Sequence, residues 1–262
     1  MSALPDLARR TRIGAAFAAA RDYDLHARLQ HKVALGLAER LAALPIRSHA
    51  RILEIGCGTG FLTEQLARTT PGCELVVTDL APAMVQRCRL RVGEAAGRSF
   101  RVLDAERDDC PPGDAFDLVV SSLAFQWFED LPGALARLAG WLAPGGTLAF
   151  TTLVNGTFAE WRQAHAAIGL ASGTPRFPSA EELAGMVPRD LVVDLATATY
   201  REPQGSARAF LHALKAIGAG TAAAGHQPLP PRALRQVMMG FEDAGAVATY
   251  EVATCLLRKD LP

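Results

Sequence analysis

A chain of 262 residues, half of them hydrophobic, can bury a large core, and its length fits one elaborated domain better than two full ones. Lys plus Arg and Asp plus Glu stand at 27 each, so no net field draws in nucleic acid or an anionic membrane, and a charged partner must meet a local patch. The five cysteines are odd in number and form no CxxC pair, which excludes a disulfide framework or a zinc site as the leading reading and points to reduced, cytoplasmic thiols.

The N-terminal MSALPDLARRTRIGAAFAAA is broken by Asp6, Arg9, Arg10 and Arg12, so it lacks the continuous apolar run of a secretory signal. No later stretch approaches the roughly 20 apolar residues of a membrane span. A first helix is expected through about Ala20 and a second from about Asp24 to Leu44, where Leu25, Leu29, Val33, Leu37 and Leu41 recur at helical spacing. Short β-rich runs then alternate with helical ones: RILEI and FLTEQLA, ELVVTDL and PAMVQRCRL, FRVLD, FDLVVSSL and LPGALARLAGWL, then TLAFTTL. That alternation predicts an α/β fold with a Rossmann-like, seven-stranded, mostly parallel sheet covered by helices on both faces.

Residues 154–188 break the rhythm with helical stretches around the loop ASGTPRFPS, and read as an insertion over the sheet's edge after the fifth strand. LVVDLATATY resumes a strand pattern; helices near Ser206–Ile217 and Arg232–Glu242 flank a Gly/Ala/Pro-rich loop, and VATYEVATCLL is the last strand. The expected organisation is one domain: helices forming an N-terminal lid (1–48), a nucleotide-binding core (49–153), the insertion (154–188) and a C-terminal part of the core with substrate-side helices (189–262).

RILEI ends in Glu54 and runs into GCGTG, where Gly56, Gly58 and Gly60 let the backbone turn sharply and approach a ligand. A glycine turn between strand and helix is shared by many nucleotide-binding folds, so the acids around it must discriminate. Glu54 would repel a pyrophosphate but welcome a cationic amino acid. Asp79, about twenty residues past the glycines, is placed to accept hydrogen bonds from ribose hydroxyls. Asp104, Ala105 and Glu106 follow FRVLD, where a carboxylate and a backbone amide can read an adenine edge. The third glycine of a GxGxxG nicotinamide site is replaced by Phe61. Together these features point to S-adenosylmethionine, which carries an ammonium and no phosphate.

On LEIGCGTG, TDLAPAM, YDLHARLQ, SSLAFQW, FTTLVNGTFAEW, RFPSAEEL, LHALKAIGA and TYEV, the chain resembles the class I S-adenosylmethionine-dependent methyltransferases, and among them the malonyl-acyl-carrier-protein O-methyltransferases of biotin synthesis, the BioC family. The resemblance runs almost end to end, and FQW, TTLVNGT and LKAIGA are its more specific pieces. It departs at Ser122, where an Asn is expected, and in the apolar loop GTAAAGHQPLPP. It implies transfer of a methyl group from S-adenosylmethionine to the free carboxylate of a malonyl thioester, leaving S-adenosylhomocysteine and an ester that primes pimeloyl-chain synthesis. The implied cofactor residues are Glu54, Gly56, Cys57, Gly58, Gly60, Asp79, Leu80, Met84, Asp104, Ala105, Glu106, Ser121 and Leu123.

A carboxylate with a reference pKa near ~4 is already ionised at neutral pH, so no general base is required and no catalytic triad is sought. The acceptor needs weak donors, because a bidentate arginine clamp would stabilise the charged ground state more than the charge-diminished transition state. Tyr23 and His26, three apart on the lid, and Gln126 and Trp127, beyond the fourth strand, are the candidate methyl-site residues. An acidic carrier protein requires a local basic face, for which Arg201, Arg208 and Lys215 are the candidates. His31, His49, His165, His212 and His226 show no metal-ligand spacing, and no metal is expected. The partners expected are the malonyl-loaded carrier, with malonyl-CoA as a further acceptor to weigh, and a monomeric enzyme that engages neither nucleic acid nor membrane. The competing readings are a methyltransferase acting on a free small acid, such as a trans-aconitate-like one, or on a quinone precursor, and a non-catalytic S-adenosylmethionine sensor.

Overall fold

The computed structural model describes residues 7–223 and 225–260. The first six residues of the expected lid segment, Ala224 in the loop before the last helix, and residues 261–262 of the expected C-terminal part lie outside the described residues. Three helices precede the sheet: α1 (Leu7–Ala19), the four-residue α2 (Tyr23–His26) and α3 (Arg28–Ala42). The single helix expected over 24–44 is therefore broken. Ala27, fully buried, departs from helical geometry at φ −90° and ψ 38°. The break lets Asp24 of α2 accept a hydrogen bond from Thr59 in the glycine loop while α3 packs on the sheet.

Seven strands, β1 (Arg51–Ile55), β2 (Glu74–Asp79), β3 (Arg98–Val102), β4 (Phe116–Ser122), β5 (Leu142–Leu153), β6 (Leu191–Pro203) and β7 (Val247–Lys259), form one sheet in the order β3-β2-β1-β4-β5-β7-β6. The first five run parallel, and β7 lies antiparallel between β5 and β6. The strand order reverses at β1 and β4, which opens a crevice at their carboxyl ends. The expected strand and sheet class is thus observed.

Side-chain alternation along the strands builds a core on each face. Leu53, Ile55, Val119 and Leu148 pack with Leu135 and Leu138 of α6 (Leu131–Gly140), whereas Ile52, Leu118, Val120 and Ala149 pack with Leu37 of α3 and Leu66 of α4 (Phe61–Thr69). The helix expected through Leu142 stops at Gly140. Leu142 already pairs with Phe116, and the turn through Ala143–Gly146 bulges out of the ladder before Thr147 pairs with Leu118. Gly146 passes so close to β4 that a Cβ there would lie 2.9 Å from the Phe116 carbonyl oxygen.

The insertion supplies α7 (Ala159–Ala166) and α8 (Ala180–Gly185), which pack on β7 and β6 respectively and so cover the antiparallel end of the sheet. A third, aromatic core joins α7 to α9 (Ala207–Ala216) and α10 (Pro231–Asp243): Trp161, Phe210 and Phe241 have centroids 5.2–5.5 Å apart. Contacts of this kind add about 0.5–1.5 kcal/mol each beyond area burial. All five cysteines are free thiols, and among the described residues no helix is long and apolar enough to cross a membrane.

Candidate functional site

β1 ends at Ile55 and turns through Gly56, Gly58 and Gly60 at φ of +70°, +55° and +97°, a region that side chains resist. A Cβ on Gly56 would stand 2.5 Å from that of Ala124, so glycine is also required there sterically. Asp79, at the end of β2, holds the loop in place. Its Oδ2 accepts from the Gly58 amide (2.9 Å) and its Oδ1 from the Ala81 amide (2.8 Å), tying the loop to α5 (Pro82–Val92). Burial pushes its carboxyl above the usual range, against the pull of the amides of Ala81, Gly58 and Leu80.

A cavity opens above this loop. Its floor is Ile55, Gly56 and Gly58; its walls include Asp79, Leu80 and Met84 on one side and Leu103, Asp104, Ala105 and Glu106 on another; Leu123 and Trp127 close the end near β4. The roof is the N-terminal segment, through Arg10, Ile13, Gly14, Phe17 and Tyr23. Three arginines fasten that roof. Arg10, 7% exposed, bonds Asp104 at 2.6 Å, also pairs with Glu106, and lies 3.5 Å from Glu129. Arg87 of α5 donates to the carbonyls of Ala20 and Ala18. Arg91 pairs with Asp24 and donates to Thr59 O at 2.7 Å. The Phe17 ring meets Trp127 edge-on, with centroids 5.5 Å apart.

A second chamber adjoins the first, sharing Phe17, Tyr23, Leu123 and Trp127 with it. Its remaining walls include Gln30, Gln126, Phe177 and Tyr250, and none of its lining residues is charged. A third, outer cavity shares Phe158, Pro175, Leu214 and Ala219 with this chamber and reaches Lys215 and His226. The three adjoin one another in a row from the glycine loop to α9. Two non-glycine residues along it, Leu123 (φ +51°) and Phe158 (φ +59°), are held in the left-handed region by backbone bonds to Thr151 O and Thr249 O. Strain of this kind, about 1–3 kcal/mol per residue, persists where surrounding structure enforces it and clusters at functional sites.

Eleven of the sequence-predicted residues line the first cavity: Tyr23, Gly56, Gly58, Asp79, Leu80, Met84, Asp104, Ala105, Glu106, Leu123 and Trp127. Others stand elsewhere, for identifiable reasons. Glu54 does not enter the cavity; alternation along β1 turns it to the α4 face, where it is 1% exposed and its Oε2 has no hydrogen-bond partner. Burial, then the neighbouring Cys88 and Asp79, push its carboxyl well above the ordinary range despite a bond from Thr63. Cys57 and Gly60 support the loop from behind, with a Cβ on Gly60 falling 3.0 Å from Cys88 Sγ. Ser121 also faces the wrong way, donating to Ile55 O at 2.8 Å, so its neighbour Ser122 lines the cavity instead. Asp104 and Glu106 reach the cavity but are occupied as anchors of Arg10, and Glu106 additionally caps the amides of Glu129 and Asp130.

Among the methyl-site candidates, Tyr23 lines both inner cavities, and its hydroxyl sits 3.9 Å from where a Cβ on Gly58 would be. Gln126 lines the middle chamber, donating from Nε2 to Leu123 O at 2.6 Å and leaving Oε1 buried without a partner. His26 is not in the row of cavities: it is half-buried and packs against His212 of α9, with centroids 5.3 Å apart. Of the basic candidates, only Lys215 lines a cavity; Arg208 is exposed on α9, and Arg201 on β6 lies near enough to Glu160 to help hold that carboxyl below its usual range. Sequence reasoning missed Arg10, Phe17, Ser122 and Tyr250. Ser122 was legible from strand alternation; the others needed the fold.

Residues 53–148 match the family model described as a methyltransferase domain. The chain is 39% identical to the malonyl-[acyl-carrier protein] O-methyltransferase of Magnetococcus marinus, over 93% of this chain and 91% of that one. It is 43% identical to the biotin biosynthesis bifunctional protein BioCD of Bordetella avium, over 92% of this chain, and spans only 51% of that protein's length. Among solved structures, the YcgJ protein of Bacillus subtilis shares the fold, with a TM-score of 0.60 at 16% identity, over 87% of this chain and 99% of that one. With such identity maintained across nearly the whole of a relative, the chain belongs to the malonyl-[acyl-carrier protein] O-methyltransferase family.

Proposed function

We propose that this protein transfers the methyl group of S-adenosylmethionine to the free carboxylate of a malonyl group carried as a thioester on an acyl carrier protein. The observation that carries the reading is the charge pattern along the row of cavities. The lining of the first cavity holds three carboxylates, Asp79, Asp104 and Glu106, and one cation, Arg10, already committed to two of them. That surface suits a ligand with a positive charge and ribose hydroxyls, and offers nothing to a pyrophosphate. Asp79 is the residue that would hold the ribose, each of its oxygens keeping a lone pair after the two backbone bonds. S-adenosylmethionine, when bound, supplies an electrophilic methyl group on a sulfonium.

The middle chamber supports a carboxylate as acceptor. Charge is annihilated as a carboxylate takes a methyl group from a cation, so the chamber's uncharged walls disfavour the ionised ground state more than the transition state. Tyr23 is a neutral donor placed between the two inner cavities. Its phenol is held above the ordinary value of 10.0 by burial, then by Asp79 and Asp24. It orients an acceptor oxygen without becoming a counter-ion. Trp127 and Phe17 meet at the junction and exclude water there. The outer cavity, opening by Lys215, gives a thioester arm a route inward, and five free thiols accord with a reducing cytoplasm.

Intact-protein mass spectrometry of malonyl-carrier protein incubated with the enzyme and S-adenosylmethionine tests the proposal. One added methyl group, removed by an esterase, is expected. No mass change on the carrier, with methylation of a free dicarboxylic acid, would overturn it.

A further inference from the structure

From Pro203 to Phe241 the sequence contains Arg208, Lys215, Arg232 and Arg235 and not one Asp or Glu, in a chain whose acids and bases balance only when this stretch is included. This acid-free stretch covers α9, the following loop and α10 as far as Phe241, the elements that frame the outer cavity; the acids Glu242 and Asp243 stand only at the far end of α10, where Glu242 caps the Ala207 amide of α9. Arg208, His212 and Lys215 recur at i, i+4 and i+7, so they form one ridge of α9; Arg232, Arg235 and Met239, at i, i+3 and i+7, form one ridge of α10. All six are exposed, Met239 by 58%. None of the four cations forms a salt bridge among the described residues, whereas Arg10, Arg51, Arg91 and Lys32 elsewhere each engage a carboxylate. Lys215 lines the cavity, as does Leu234, the neighbour of Arg235.

We infer that the α9–α10 face is the docking surface for the acidic carrier protein, with Arg208, Lys215, Arg232 and Arg235 meeting carboxylates of the carrier and Met239 providing an apolar contact among them. The thioester arm then enters beside Lys215. This rests on the carboxyl-methylation reading above. Four unpaired cations on one subdomain repel one another, and an acidic partner relieves that repulsion as it steers the encounter. Arg201 is not part of the surface, because Glu160 already faces it. A nucleic acid is the less suitable partner: the phenylalanine rings of the stretch, Phe210 and Phe241, are fully buried, and the exposed His212 ring is packed edge-on against His26.

Steady-state kinetics on two acceptors, malonyl-carrier protein and malonyl-pantetheine, separates docking from chemistry. Arg208→Glu and the double variant Arg232→Glu/Arg235→Glu should raise KM for the carrier about tenfold or more, as expected for reversed rim charges, and change that for malonyl-pantetheine less than about twofold. Arg101→Glu, on β3 at the opposite edge of the sheet, should leave both unchanged. An unaltered carrier KM in the α9 and α10 variants, with methylation intact, overturns the surface and spares the activity. Anisotropy of a fluorescently labelled carrier reads docking without turnover: binding by the parent enzyme that the variants lose upholds the surface even if no methylation occurs. Equal effects on both acceptors, or tight binding of a single-stranded RNA lost in the same variants, would refute the inference.

Discussion

Arg10→Met is the most informative single substitution, because it keeps most of the aliphatic stem and removes the charge that fastens the roof. In the folded protein Arg10 is 7% exposed and faces Asp104, Glu106 and Glu129; the two oxygens of Glu129 make no hydrogen bond, so its charge is balanced chiefly through Arg10 and the more distant Arg107. Removing one partner of a buried charge cluster costs about 3–5 kcal/mol, and the lower end applies here because the carboxylates retain some contact with water. The cost falls on closure of α1 over the cavity, since the sheet does not depend on this helix. A ligand that needs the closed roof loses affinity in proportion to the closed fraction, so about 3 kcal/mol sets a ceiling of roughly 100-fold on its Kd. Calorimetric titration with S-adenosylhomocysteine should show a loss between about tenfold and that ceiling, and amide exchange over residues 7–19 should accelerate. Adding Glu129→Gln, which relieves the exposed repulsion, should restore part of the affinity. A Kd within about twofold of the parent and unchanged exchange over α1 would refute the anchoring role.

Gly56→Ala should remove measurable cofactor binding, because the new Cβ meets Ala124 at 2.5 Å at a φ of +70°; dichroism distinguishes this local loss from unfolding, and full activity would refute the geometry. Asp79→Asn should weaken S-adenosylhomocysteine by about tenfold or more, through loss of a charge-assisted acceptor whose amide partners remain in place; unchanged titration would remove Asp79 from the ribose site. The profile of kcat/KM against pH should be flat from about 6 to 9, since a carboxylic acceptor ionises near 4 and the raised pKa of Tyr23 shifts its deprotonation further upward from 10.0; a basic limb within that window would show that another titrating group is required. Gln30→Lys places a cation in the neutral chamber and should lower kcat about tenfold without raising the acceptor KM, whereas an increase in kcat would invert the argument about charge annihilation.

The sequence made the cofactor half of the site legible because that half is local. A strand, a glycine turn and the next strand end are contiguous, and Gly56, Gly58 and Asp79 stand together for that reason. One residue of alternation matters at the strand ends: Glu54 and Ser121 are each a single position from Ile55 and Ser122, which line the cavity. Asp104 and Glu106, expected to face a ligand, line the cavity and are also bonded to an arginine 94 and 96 residues away. His26 shares the short helix α2 with Tyr23, but its ring meets His212 of α9 and does not enter the cavities. No spacing rule reports such distant contacts, which depend on where helices come to rest on a sheet.

The division of labour along the chain follows from the same physics. Strand ends β1 to β4 supply the floor and walls of the first cavity. Everything that distinguishes an acceptor comes from elements added around that frame. α1 and α2 form the roof, the insertion contributes Phe158, Pro175 and Phe177, and β7 contributes Tyr250. The middle chamber is therefore assembled from segments more than 200 residues apart; Phe158, Phe177 and Tyr250 belong to the aromatic core of α7, α9 and α10, whereas Phe17 and Tyr23 of the roof pack with Ala20, Ala81 and Met84. Tyr250 is the residue where these influences meet: its ring is in that core, it lines the chamber, and its phenol is kept protonated by burial and then by Glu202. A change of acceptor in this architecture should accordingly require changes in the roof, the insertion and β7 together, while the glycine loop stays as it is.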